Sequence, residues 1–145
     1  MNHKGLALVD SGKYSDAIAY FDKALAIRPN YITALDNKAF SLRQLGRDNE
    51  AITYFDKAIS INPNNTKPLN GKGIALFTLG KYNEAIECYD KALKIKPDYE
   101  LALSSKRLAQ EKLGKEDNNE FFSRFRNKGD RKIKYYSSDG KPVYE

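Results

Sequence analysis

The chain has 145 residues, with 25 lysines and arginines against 19 acids and a net charge of +6. Its 41% hydrophobic content is enough for one core, and no run of about 18 apolar residues offers a membrane span. A single cysteine, Cys88, excludes an internal disulfide framework and fits a reducing compartment, and a single histidine, His3, excludes a histidine-built metal centre.

The opening residues Met1-Asn2-His3-Lys4-Gly5 lead into only a short apolar patch before Asp10, which is not the pattern of a secretory signal. The expected location is cytoplasmic. From Gly12 the sequence runs Gly-Lys-Tyr-Ser-Asp-Ala-Ile-Ala-Tyr-Phe-Asp-Lys-Ala to Pro29, and the same order of Gly, Ala, aromatic, Ala and Pro returns at Gly46–Pro63 and Gly80–Pro97. The step from Gly12 to Gly46 equals the step from Gly46 to Gly80. A fixed period of this length marks a repeat array, in which each unit must stack on a neighbour to bury its apolar face.

Each unit reads as two helices. The first, roughly Thr33 to Leu45 or Lys67 to Leu79, ends at a glycine able to take the positive φ of a helix C-cap. The second is expected to start with Asp48 or Asn83 as N-cap and to stop before Pro63 or Pro97, where the residue before proline is pushed out of the helical region. In the second helices Ala17, Ala51 and Ala85 stand seven residues before Ala24, Ala58 and Ala92, with Phe21, Phe55 and Tyr89 between them on the same face. Leu8, Leu42 and Leu76 match them from the first helices. In a fourth unit the register places Arg107 and Gln110 where small and apolar residues stood before, so residues 100–113 read as a single capping helix with a wetter outer face.

This pattern resembles the tetratricopeptide (TPR) repeat over residues 1–115, in three repeats of about 1–31, 32–65 and 66–99 plus the cap. The resemblance implies an all-α, right-handed α-solenoid of helix-turn-helix units acting as a protein-binding adaptor, with the first helices lining a concave groove. Leu6, Phe40, Ile74 and Leu108 then share one equivalent position in that groove, with Val9 and Phe77 three residues on in their own units. Asn37, Arg43, Lys67 and Asn70, together with Thr33 and Asp36, form a polar rim. An apolar stripe with such a rim suits an extended or helical peptide with hydrophobic anchors. The competing reading makes the same apolar residues inter-repeat core. Some TPR domains grip a chaperone's C-terminal carboxylate with lysines, asparagines and an arginine. Here Asn37 and Lys67 match two of those positions, while Asn2, Leu6 and Gly71 hold the other three, which argues against a chaperone tail as partner.

Residues 116–145 form a separate basic tail, and its stretch 118–145 carries seven lysines and arginines against four acids. Phe121, Phe122 and Phe125 share one face of a short helical stretch and are expected to cover the capping helix or to fold back into the groove. Asp139-Gly140 between short aromatic or β-branched runs is a hairpin signal, with Pro142 confining its strand to an edge. Basic residues interleaved with Tyr135 and Tyr136 give a rival reading, single-stranded nucleic acid held by charge and stacking. Self-association of the array into a homo-oligomer is a third. No catalytic residue, metal site or cofactor motif emerges: Cys88 reads as a small packing residue, and Gly71-Lys72-Gly73 lacks phosphate-loop spacing.

Overall fold

In a computed structural model, the backbone of residues 2–126 and 133–144 is described. Seven helices follow one another: α1 (Asn2–Asp10), α2 (Tyr14–Ile27), α3 (Ile32–Gln44), α4 (Asp48–Ile61), α5 (Thr66–Thr78), α6 (Tyr82–Ile95) and α7 (Glu100–Arg126). A short hairpin, β1 (Ile133–Tyr136) and β2 (Pro142–Tyr144), comes last. The chain divides into two compact units, Met1–Lys112 and Leu113–Glu145.

In the first unit each helix packs on the next from α1 to α6, and α1, α3 and α5 also touch along the stack. This is the all-α helical solenoid that the repeat period demands. The turns within units are set by Gly12, Gly46 and Gly80, whose φ angles are 75°, 77° and 78°. At Gly46 the helix closes with Gly46 N donating to Arg43 O and Arg47 N donating to Leu42 O, at 3.0 and 2.9 Å, and Gly80 and Lys81 repeat the pattern. Only glycine takes this left-handed conformation without cost.

The N-caps differ from expectation. Arg47 and Lys81 occupy the cap positions without a side-chain capping hydrogen bond, and Asp48 is the first residue inside α4. The glycine closure delivers the chain into the next helix within two residues, which leaves no room for a cap at Asp48 or Asn83. Among the described caps only that of α5 uses a side chain, Asn65 accepting from Lys67 N at 3.3 Å.

The core is built from the small-residue faces. Ala17, Ala51 and Ala85 are fully buried, and Phe21, Phe55 and Tyr89 fill the space between units. A Cβ built at Gly71 would lie 2.5 Å from Phe55 Cε1, and Gly5 and Gly73 press as closely on Phe21 and Tyr89. Glycine at these three positions is what lets a first helix lie directly on the ring. Ion pairs then stitch successive repeats: Asp22–Lys38, Asp56–Lys72 and Asp90–Lys106, at 2.5, 2.7 and 2.6 Å, each one repeat on from the last.

The start of α7 closes the stack. Ala102 and Ala109 are fully buried against α6, and Tyr89 hydrogen-bonds Ser105, with burial pushing the phenol's pKa up to about 12. On the opposite side Leu103 is 43% exposed, whereas its counterparts Leu35 and Leu69 are buried, and Arg107 and Gln110 are exposed. The helix does not end near residue 113. Gly114 stands in register with Gly12, Gly46 and Gly80 but has no positive φ, and α7 runs on to Arg126. No alanine–aromatic–alanine series follows to reward a turn there, and Lys115-Glu116 favour continuation.

In the second unit β1 and β2 pair antiparallel, Tyr135 opposite Val143 and Tyr136 opposite Pro142. The turn is closed by Gly140 N donating to Ser137 O and Ser137 N donating to Lys141 O, both at 2.9 Å. Within it Gly140 alone takes positive φ, 80°, so Asp139-Gly140 does not form a two-residue turn with both residues left-handed. Asp139 instead accepts from Ser137 Oγ. The expected packing of Phe121, Phe122 and Phe125, and the run 127–132, lie outside the described side chains and residues.

Candidate functional site: a concave groove

The first helices bring eight of the ten candidate residues to one place. Leu6 and Val9 from α1, Asn37, Phe40 and Arg43 from α3, and Lys67, Asn70 and Ile74 from α5 line a single cavity of about 450 Å³. The repeat equivalence of Leu6, Phe40 and Ile74 puts one apolar side chain from each unit along it. Phe40 is held by an edge-on contact with Tyr14, centroids 6.3 Å apart, and by the Arg43 guanidinium 5.3 Å from its ring centroid.

Two candidates lie elsewhere. Phe77 meets the Tyr82 ring edge-on at 5.3 Å and packs on the core around Leu76 and Tyr89. Leu108 is 46% exposed on α7 and does not line the cavity. Phe77→Ala is therefore expected to lower stability by about 2 kcal/mol, somewhat under the range for a fully buried ring. Denaturant unfolding checks the first effect, and groove binding unchanged within about twofold is the matching expectation.

The polar part of the groove is incompletely satisfied. Asn37 and Asn70 are 7% and 5% exposed, yet Asn37 Nδ2 and Asn70 Oδ1 have no hydrogen-bond partner, and neither has Arg43 Nε. Buried polar atoms are paired as a rule, because an orphan forfeits its solvation. Asn37 Nδ2 and Asn70 Oδ1 are thus a donor and an acceptor without partners on two residues that line the same cavity.

Asp36 is part of the cavity wall and more deeply set than a rim residue. Its carboxylate is buried and lies 3.5 Å from Lys67 Nζ. Its pKa is raised because burial outweighs the attraction of Lys67 and Arg43. The Arg43 guanidinium is held below its usual value, burial outweighing Asp48 and Asp36. The folded state holds the Asp36 proton more tightly than the unfolded chain does, so this contribution to stability is present below pH 3.8 and is lost as pH rises from there through the raised folded value. Asp36→Asn removes this contribution. In urea titrations at about pH 4 and about pH 7, the variant is expected to lose less stability than wild type at the higher pH. An equal loss in both proteins would contradict the assignment.

Four further lining residues were not legible as site residues: Phe55, Gly71, Tyr99 and Leu101. Gly71 reveals itself only through its contact with Phe55, and Tyr99 and Leu101 belong to the turn and start of α7, outside the repeat pattern. Among the described residues no group of three or more His, Cys, Asp or Glu gathers at one point, and no described helix is long and apolar enough to cross a membrane.

Stacked antiparallel helix pairs that present an open groove define a helical-repeat scaffold. Family models described as tetratricopeptide repeat match residues 1–64 and 67–99. The chain belongs to the tetratricopeptide-repeat family. Among solved structures it is similar to the first TPR domain of human RPAP3, at 26% identity and TM-score 0.78 over 81% of this chain and 92% of that one. The first TPR of Spaghetti (RPAP3), solved bound to the HSP90 peptide SRMEEVD, matches at 26% identity and TM-score 0.76, covering 78% of this chain and 90% of that one. The Sgt2 TPR domain from Aspergillus fumigatus shares the fold at 23% identity and TM-score 0.77, over 81% and 79% of the two chains. No match is found among curated protein sequences.

Proposed function

We propose that this protein is a protein-interaction adaptor that captures an extended segment of a partner in the concave groove. The observation that carries this is the set of unpaired atoms, Asn37 Nδ2, Arg43 Nε and Asn70 Oδ1, lying buried in the wall of an apolar cavity. Asn37 and Asn70 hold the partner's backbone, Leu6, Phe40 and Ile74 take its apolar side chains, and Arg43 and Lys67 favour an acidic residue beside them. Main-chain bonds supply general affinity and the pockets supply selection. No chemistry is asked of the groove.

A second reading has a specific observation behind it. A neighbour at 26% identity is solved with a chaperone peptide ending in aspartate, and Asn37 and Lys67 stand in the cavity here. Against it, Leu6 supplies no donor, and the Phe55 ring blocks any side chain at Gly71. The proposal therefore takes an internal, apolar-anchored segment as the partner, with the terminal carboxylate of a chaperone peptide as the alternative that the peptide-bound neighbour supports.

Capture from a nuclease-treated lysate separates the readings. Wild type is compared with the Phe40→Ala/Ile74→Ala pair and with wild type competed by free SRMEEVD peptide. Proteins retained by wild type, lost from the folded variant and indifferent to the peptide support the proposal. Capture abolished by SRMEEVD supports the chaperone tail, and capture that vanishes with nuclease or ignores the variant points to the basic C-terminal region.

A further inference from the structure

The outer face of the array carries a second periodic feature. In the first unit the Tyr20 ring lies beneath Lys4 and Lys23, whose ammonium nitrogens are 5.7 and 5.1 Å from its centroid. In the second unit Tyr54 lies beneath Lys38 and Lys57, at 3.9 and 4.8 Å. One repeat further on, the equivalent positions are Lys72, Lys91 and Cys88. Both lysines are present in the third unit, and the ring between them is replaced by a thiol.

The site is correspondingly open. Lys72, Cys88 and Lys91 line a cavity of about 350 Å³ between α4, α5 and α6, separate from the concave groove. Ile59, Leu69 and Ile95 form its apolar walls, and Lys94 adds a third cation. Lys72 stays in place through Asp56, at 2.7 Å, as Lys38 does through Asp22. Cys88 is 6% exposed at the bottom.

We propose that this cavity is a second docking site, which takes an aromatic side chain of a partner peptide flanked by acidic residues. A guest ring would regain between Lys72 and Lys91 the cation–π contacts that Tyr54 makes in the preceding unit, with the Cys88 sulfur against its edge. Three lining lysines against the one lining carboxylate, Asp56, leave the rim positive, which selects acidic neighbours for the ring. The same charge disfavours this chain's own Tyr135 and Tyr136, whose sequence neighbours include Arg131, Lys132 and Lys134.

The test is a titration of the full-length ¹⁵N-labelled chain with the synthetic peptide acetyl-Glu-Asp-Tyr-Asp-Glu-amide, beside the same peptide carrying alanine for tyrosine. Saturable shifts at Ile59, Cys88, Lys91 and Ile95 are expected with the tyrosine peptide only. Cys88→Tyr, which restores the residue of the first two units, is expected to weaken binding at least tenfold, and Cys88→Ala to retain it. The comparison of the two peptides on wild type gives a readout that does not depend on either variant folding. Equal binding of the two peptides, shifts centred on Phe40 and Ile74, or undiminished binding by folded Cys88→Tyr would each overturn the proposal.

Discussion

Phe55→Ala is expected to cost about 3–5 kcal/mol of stability. The ring is 2% exposed and packs with Ala39, Leu42 and Ala51 in the middle of the array. It also fills the space that Gly71 leaves, so one side chain of α4 bridges α3 and α5. The small residues around it are fixed by their backbones and have nothing to extend into the void. Collapse is therefore limited, and the cost falls toward the upper part of the range. Denaturant unfolding followed by helical circular dichroism measures it, and a cost below about 1 kcal/mol would show that the units do not share this ring as a common core element.

Phe40→Ala is expected to weaken a groove-bound partner by about thirtyfold, on the order of 2 kcal/mol, the size of an interface hot spot. Phe40 is only partly buried, so its truncation removes less folding free energy than that of Phe55. It is the one aromatic among the three apolar anchors and is held in place by Tyr14 and Arg43. Calorimetry on the captured partner segment, with unfolding measured on the same preparation, separates affinity from stability.

The array was legible from the sequence because its determinants are local and repeated. A glycine that must be left-handed, an alanine under a ring and a proline after a helix each leave a mark once in every repeat. The groove was partly legible for the same reason: Leu6, Phe40 and Ile74 share a repeat position and share a wall. Phe77 reads identically in an apolar pattern, but its repeat counterparts are Val9 and Arg43, and it packs on Tyr82, whose counterpart Tyr14 in the first unit meets Phe40 instead. The depth of Asp36 was hidden because a carboxylate four residues from Phe40 looks like a solvated rim. The continuation of α7 was hidden because Gly114 keeps the register of the earlier turns, while the residues that would make a turn worthwhile are missing.

The central claim is that the concave groove takes a protein segment through apolar anchors and the Asn37–Asn70 pair. Selection of a random peptide library on the wild-type chain, followed by binding measurements on Phe40→Ala, Asn37→Ala and Asn70→Ala, tests it most directly. The account predicts selected peptides that share spaced apolar residues beside an acid and that lose affinity for all three folded variants. Peptides that bind the three variants as tightly as wild type would contradict it.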